Sequence, residues 1–298
     1  MNIRSPFFYV GDKRKLVNSI KRFFPPDIRN FVEPFVGGGS VFMNVSARRY
    51  ILNDIDRNVI ELHKMLCSFA ARRDDFFEKV ESTVNQYGLS YSLLNNEIPI
   101  DLKKKFPKTY FAEYNRVCYN NLKSEYNKSE NKEPFVLYLL LIYGFNRMIR
   151  FNGNGKFNVP VGNVDFNKNV FEALSNYFDI IEKRDILWHN LDFRKFFQKV
   201  KFGKNDFVYL DPPYLITFSE YNKIWKEQSE IDLLNILDSL NRRNVKFAVS
   251  NVTHYKNRVN EIFLDWSKNY FVHSVKSNYI SYHDNTVKKF NEVLVTNY

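Results

Sequence analysis

Asp211-Pro212-Pro213-Tyr214 directly follows the apolar run Phe207-Val208-Tyr209-Leu210. Neither proline can donate a ladder hydrogen bond, so the strand predicted over 207–210 must end there. A carboxylate, a rigid carbonyl and an aromatic ring are thereby presented together at a strand's carboxyl end, the edge where open α/β sheets bind ligands. Asp211 and the carbonyl of Pro212 can both accept hydrogen bonds from one exocyclic amino group, and the ring of Tyr214 can stack on the planar base that carries it. Taken alone, the four residues also read as an ordinary Pro-Pro turn with a capping Asp and an exposed Tyr.

A second strand-to-loop element, Phe31-Val32-Glu33-Pro34-Phe35-Val36-Gly37-Gly38-Gly39-Ser40, lies far upstream. Glycine permits positive φ and a close approach of backbone to ligand. The following segment, 41–47, is expected to be helical, with free N–H groups at its start. Neither G-x-x-x-x-G-K-[ST] nor G-x-G-x-x-G is present. Glu33 would repel a phosphate and suits a cationic ligand. Tyr50-Ile51-Leu52 reads as a second strand, ending in Asn53-Asp54-Ile55-Asp56. An acid there can bind ribose hydroxyls or cap the amphipathic stretch carrying Val59, Leu62, Leu66 and Phe69. Asp56 fits the cap better, which leaves Asp54 for a ligand.

The glycine loop, the acidic second strand and D-P-P-Y, in that order, resemble the adenine-N6 DNA methyltransferases of the Dam type (D12 class, alpha group). The likeness continues through Phe8-Tyr9-Val10-Gly11-Asp12-Lys13, Asn146-Arg147-Met148-Ile149-Arg150-Phe151-Asn152, Gly155-Lys156-Phe157-Asn158-Val159-Pro160, Ser250-Asn251 and Glu292 to Tyr298, and so covers most of the chain. The resemblance implies a Rossmann-like α/β fold dependent on S-adenosylmethionine, with an inserted, mostly helical DNA-recognition domain bearing a β-hairpin. It implies transfer of a methyl group to N6 of a flipped-out adenine in duplex DNA, with GATC or a related short site as leading target.

Residue by residue, the resemblance gives Asp211, Pro212 and Tyr214 the catalytic roles. For the cofactor it implies Tyr9 against the methionine moiety, Lys13 on its carboxylate, Glu33 and Asp211 near its amino group, Gly37 and Gly39 shaping the loop, and Asp54 with Ile55 at the ribose. Asp192-Phe193 resembles the pair that binds the cofactor adenine, although by sequence alone it is also a helix cap and a core residue. For DNA it implies Asn146 beside the displaced base and Arg147, Arg150, Asn152 and Lys156 in the hairpin region, with Arg150 reaching a guanine edge. One departure bears on the target: Phe8 stands where Dam-like members carry a lysine that contacts the first guanine.

Composition agrees with a polyanionic partner. The 298 residues hold 44 Lys plus Arg against 33 Asp plus Glu, a formal net charge of +11. Such a surface does not by itself separate DNA from RNA or a membrane. No apolar run is long enough to span a bilayer, and the amino terminus lacks a signal-peptide pattern, so a cytoplasmic protein is expected. Cys67 and Cys118 fit neither zinc spacing nor a disulfide framework, and the five histidines are scattered; no metal is expected. The alternation of strands and helices is read as a discontinuous catalytic domain, 1–67 and 165–298, interrupted by a helical target-recognition domain, 68–164.

Within that insertion, the window from Pro134 to Val164 contains no acidic residue yet holds Arg147, Arg150 and Lys156. Asn152-Gly153-Asn154-Gly155 is the strongest hairpin signal of the chain. A basic hairpin without counter-charges suits a DNA groove, and equally an ordinary surface hairpin whose arginines pair elsewhere. Methylation of RNA adenine, of a cytosine amine or of a protein amide are the rival enzymatic readings; a non-catalytic DNA-binding protein of the same fold is the rival outside enzymes. A monomer is expected, with a cognate restriction endonuclease as a functional partner.

Overall fold

A computed structural model of the chain describes residues 2–8, 11–94, 98–217, 224–275 and 290–298. They fall into two compact units, one of residues 1–2, 13–56 and 184–298 and the other of residues 3–12 and 57–183.

The first unit is built on an eight-stranded sheet. Its strands are β1 (Asn30–Glu33), β2 (Arg49–Asn53), β3 (Asp185–His189), β4 (Phe207–Leu210), β5 (Lys246–Tyr255), β6 (Arg258–Val259), β7 (Phe271–Ser274) and β8 (Phe290–Thr296), in the order β3-β2-β1-β4-β5-β8-β7 with β6 on β5. β3, β2, β1, β4 and β5 run parallel, whereas β8 runs antiparallel to both β5 and β7. Strand order therefore reverses between β1 and β4, the place where a Rossmann-like sheet opens a crevice. Because successive side chains alternate between faces, Val32, Val208, Leu210, Val249 and Val295 join one core layer with Leu237. Phe31, Phe207 and Tyr209 point to the other face, where Phe24 lies 4.7 Å from the Phe207 ring and 5.4 Å from that of Tyr209.

Helices of this unit are α1 (Val17–Lys21), α8 (Phe193–Lys199), α9 (Glu227–Arg242) and α10 (Glu261–Ser267); the second unit contributes α2 (Arg57–Phe69), α3 (Arg73–Tyr87), α4 (Ile100–Lys105), α5 (Tyr110–Lys128), α6 (Pro134–Tyr143) and α7 (Lys168–Ile181). α6, Pro-Phe-Val-Leu-Tyr-Leu-Leu-Leu-Ile-Tyr, is apolar all round and therefore central: every residue from Leu137 to Tyr143 is buried. The rings of Phe135 and Tyr138 on α6 meet Phe76 of α3 at 5.6 and 5.9 Å, and Phe76 meets Phe178 of α7 at 5.5 Å.

Four expectations from sequence are corrected. The segment 41–47 holds only a single 3-10 turn, Phe42–Asn44, after which Val45 is extended, so no helix follows the glycine loop. In sequence, Leu16, Val17, Ile20, Phe23 and Phe24 fall on one helical face over 13–24, but the segment is split into a 3-10 turn, Lys13–Lys15, and the short α1. By residue type, 180–187 reads as a strand, but Ile180 and Ile181 end α7 and the strand begins at Asp185. The breaks between units fall at 56/57 and 183/184 rather than 67/68 and 164/165, and residues 3–12 join the second unit. The physical reason is burial. α2 hides Leu62, His63 and Leu66 and packs with α6 and α7, while Phe7 is buried 4.5 Å from the His63 ring and the Tyr138 hydroxyl donates to the Pro6 carbonyl at 3.0 Å.

Candidate active site

The two motifs meet because β1 and β4 are hydrogen-bonded neighbours, pairing Phe31 with Phe207 and Val32 with Val208. The glycine loop leaves the end of β1 and D-P-P-Y leaves the end of β4. Gly37 and Gly39 adopt φ of 47° and 80°, a left-handed region that glycine enters without Cβ strain. The Gly37 N–H donates to Asp54 Oδ2 at 2.9 Å, which ties the loop to the end of β2.

Residue parity then gathers the charged groups. Glu33 shares the Phe31 face of β1, and Glu292 lies on β8 out of phase with the core residues Val293 and Val295. Lys13 Nζ lies 2.9 Å from Asp211 Oδ2 and 3.4 Å from Glu292 Oε1. The Tyr214 hydroxyl donates to Asp211 Oδ1 at 2.8 Å and approaches Glu292 Oε1 at 3.2 Å. Among the described residues no hydrogen bond reaches the Pro212 carbonyl, so the second proposed acceptor is open.

Negative charge exceeds positive here, and buried charge is costly unless paired. Burial, then the charge of Asp211, pushes the Glu33 carboxyl well above its ordinary value, against the Phe42 N–H that donates to it. Burial likewise raises Glu292, opposed by Lys13. One oxygen of each, Glu33 Oε2 and Glu292 Oε2, is buried without a hydrogen-bond partner. Burial pushes Asp54 up to about 6 against the N–H groups of Asp56 and Gly37. Burial, Asp211 and Glu292 raise the Tyr214 phenol far above its usual range, so it remains a donor.

The remaining expected cofactor residues divide. Tyr9 lies outside the described residues. Ile55 is 52% exposed beside Asp54. Asp54, expected to be left for a ligand, already accepts from Gly37 and, through Oδ1, from the Asp56 N–H at 2.9 Å. Asp192 caps α8, accepting from the Arg194 N–H at 2.9 Å, and Phe193 is buried against Phe35 and Trp225 with ring separations of 5.7 and 5.4 Å. Lys13 is paired with carboxylates rather than standing apart for a carboxylate ligand.

The expected hairpin forms in the second unit as a pair of antiparallel bridges, Phe151 with Phe157 and Gly144 with Val161. Asn152 turns it, its Oδ1 accepting the N–H groups of Asn154 and Lys156 at 3.0 Å each. Asn127 of α5 braces it through paired hydrogen bonds with the Phe157 backbone at 2.9 and 2.8 Å. Arg150 donates to Asn158 Oδ1 at 2.8 Å and to the Asn158 carbonyl at 3.1 Å, so part of its fork is used internally. Lys156 and Asn146 are exposed.

Sequence reasoning missed Glu292 as a site residue. Its signal is an acid set at the head of the apolar run Val293-Leu294-Val295, since acids are rarely buried in a strand without a partner. Among the described residues no group of three or more His, Cys, Asp or Glu side chains could hold a metal ion, and no helix is long and apolar enough to cross a membrane.

A Rossmann-like sheet with a glycine loop and a carboxylate-Pro-Pro-Tyr turn at its switch point defines the class of methyltransferases. The chain belongs to the D12 class N6 adenine-specific DNA methyltransferases, whose family model matches residues 9–288. It is 35% identical over 305 residues to the type II methyltransferase M.FokI of Planomicrobium okeanokoites, covering 99% of this chain and 43% of that protein. It is 34% identical to the modification methylase StsI of Streptococcus sanguinis, again over 99% of this chain and 43% of that one. It is 29% identical to the DNA adenine methylase of Escherichia coli (strain K12), over 96% of this chain and 92% of that protein. The chain thus spans less than half the length of the first two relatives.

Proposed function

We propose that the chain methylates N6 of adenine in double-stranded DNA with S-adenosylmethionine as donor. The observation that carries this is the juxtaposition of the Asp211–Tyr214 turn with the glycine loop across the β1/β4 switch point. The chemistry of the donor set fits the cofactor. A cationic ligand suits an acid-rich pocket, and the buried, unpartnered Glu33 Oε2 suits an ammonium donor. When bound, S-adenosylmethionine supplies a methyl group already activated on a sulfonium. Glu33 would hold its amino group, Asp54 its ribose hydroxyls, and Phe193 with Asp192 its adenine; Lys13, Gly37, Gly39 and Ile55 would complete the cradle, and the family resemblance assigns Tyr9 to the methionine moiety.

Asp211 and the Pro212 carbonyl accept the two N–H groups of the target amine. That draws the nitrogen lone pair out of conjugation with the ring and holds it in one direction, so the chain acts by positioning and preorganised charge. Tyr214 stacks on the adenine, which must leave the duplex at a cost of a few kcal/mol, roughly 1–3 of which stacking returns. Asn146 fills space beside the displaced base, and Arg147, Arg150, Asn152 and Lys156 serve the DNA. GATC or a related short site is the proposed target. We take the protein as a cytoplasmic monomer; the relatives named as modification methylases favour a restriction endonuclease as functional partner.

The test is transfer of labelled methyl groups to unmethylated duplex, with single-molecule sequencing to map the product. Modified adenines in one short motif, lost in Asp211→Ala, are expected. Cofactor binding with transfer to RNA and none to DNA would overturn the reading.

A further inference from the structure

Six non-glycine residues have positive φ among those described, and three of them meet in the second unit: Phe8 at 52°, Asn146 at 52° and Arg147 at 49°. A bulky residue in this region is strained, and such strain persists only where surrounding structure over-determines it. Here the cause is visible. The guanidinium of Arg147 lies 3.7 Å from the Phe8 ring centroid and that of Arg4 lies 4.1 Å from the same centroid. Phe8 is buried at 9% exposure, and its neighbours are pinned by Phe7 against His63 and by the Tyr138 hydroxyl on Pro6.

Two like charges over one ring repel. Arg147 makes no side-chain hydrogen bond among the described residues, and its Nε is buried without a partner. Burial lowers its pKa to about 10, with Arg4 pushing the same way against the opposing pull of Tyr138 and Asp165. A half-buried guanidinium that is stacked, strained and unpaired is costly by itself. It becomes reasonable if an external acceptor completes it. A phosphate would take a flexible, hydrated lysine as well. A fixed planar fork instead matches the paired O6 and N7 acceptors of guanine, a pattern that guanine alone presents in the major groove.

We propose that Phe8 is a positioning residue for sequence recognition: it holds the Arg147 guanidinium, with Arg4 beside it, against the O6/N7 edge of a guanine in the DNA. This rests on the reading as a DNA methyltransferase and adds a second guanine-reading arginine to Arg150. It also gives the lysine-to-Phe8 departure a physical sense, since the cation moves from the side chain at position 8 to the arginines stacked on it.

The experiment is methyl transfer into duplexes randomised around the modified adenine, read by sequencing, for the unaltered protein, Arg147→Lys, Arg147→Met, Phe8→Leu and Phe8→Tyr. The unaltered protein is expected to require guanine at one position beyond any read by Arg150. Arg147→Lys, Arg147→Met and Phe8→Leu should relax that position by roughly ten- to a hundredfold, other positions holding, while Phe8→Tyr keeps it. Replacing that guanine by 7-deazaguanine should weaken transfer by the unaltered protein and leave Arg147→Met indifferent. Arg147→Lys keeps charge and stem, so its fold should survive even if Arg147→Met melts. Unchanged base preference with uniformly weaker, less salt-dependent binding would make Arg147 a phosphate contact and overturn the proposal, with the methyltransferase reading intact. No transfer to any duplex by the unaltered protein sinks both.

Discussion

One lysine from the amino-terminal segment holds the carboxylate proposed to receive the target amine: Lys13 Nζ stands 2.9 Å from Asp211 Oδ2 and also reaches Glu292 at 3.4 Å. Lys13 and Glu292 are almost fully enclosed, with side chains 6% and 2% exposed. In Lys13→Met the two acids face each other with the Tyr214 hydroxyl as shared donor. Removing one partner of a buried pair typically costs about 3–5 kcal/mol, here reduced because Glu292, already raised by burial, can take up a proton. Glu292, already raised by burial and held down by Lys13, rises further once the lysine is gone. A raised carboxyl in the folded state means that the native protein binds more protons than the unfolded chain, so stability falls as pH rises. The deficit of Lys13→Met against the unaltered protein, read from urea midpoints, is therefore expected to be larger near pH 8 than near pH 5. An equal deficit at both would count against the pair.

Tyr214 has two separable parts. Its ring is the proposed stacking surface, whereas its hydroxyl holds Asp211 Oδ1 at 2.8 Å. Tyr214→Phe keeps the ring and is expected to retain most methyl transfer. Tyr214→Ala forfeits stacking worth roughly 1–3 kcal/mol per base, a loss that appears in DNA binding as well as turnover. Steady-state kinetics on duplex and on a single strand separate the effects. If Tyr214→Phe is as impaired as Tyr214→Ala, the hydroxyl matters more than the ring.

Both turns at the sheet edge are legible in sequence because they act through backbone chemistry. Prolines end β4 wherever the chain later goes, and glycines open the loop after β1 for the same reason. The hairpin around Asn152–Gly155 is equally local, its turn being closed by Asn152 itself. Glu292 is not legible in this way, because its partners Lys13 and Tyr214 come from distant parts of the chain and meet it only when β8 inserts antiparallel beside β5. Phe8 reads as a lost lysine until Arg4 and Arg147 are found over its ring. Ile180-Ile181 misleads because β-branched residues favour strands, while the face Val170, Leu174, Tyr177 and Phe178 keeps them on α7.

Glu230 of α9 is fully buried and accepts from Trp225 Nε1 at 2.7 Å, Asn251 Nδ2 at 2.8 Å and Asn260 Nδ2 at 3.0 Å. It joins α9 to β5 and to the cap of α10, and it fixes Trp225 against Phe193. Glu230→Leu leaves three buried donors unanswered and is expected to cost about 3–5 kcal/mol, whereas Glu230→Gln keeps one acceptor and costs about 1–3 kcal/mol. Thermal and urea unfolding measure both. Equal losses would show that volume, rather than the acceptor, is what the site needs.

With the proposed ribose contact, Asp54 would couple stability and cofactor binding with opposite signs. Its folded carboxyl titrates at about 6 against an ordinary 3.8, chiefly because burial disfavours the charge. The native protein therefore holds this proton longer than the unfolded chain, and stability of the ligand-free protein falls as pH rises between those two values, levelling above about 6. The same ionisation creates the acceptor that ribose hydroxyls need, so cofactor affinity is expected to rise as pH passes about 6. Glu33 and Glu292, also raised, add a stability slope of the same sign. Asp54→Asn isolates the contribution of Asp54, because it cannot titrate and leaves the other two acids in place. Urea midpoints and calorimetric titration of S-adenosylmethionine, each from about pH 5 to about pH 8, are expected to show a shallower stability slope and a shallower affinity profile in Asp54→Asn, the remainder belonging to Glu33. An affinity profile of the same shape in both proteins would move the ribose contact away from Asp54.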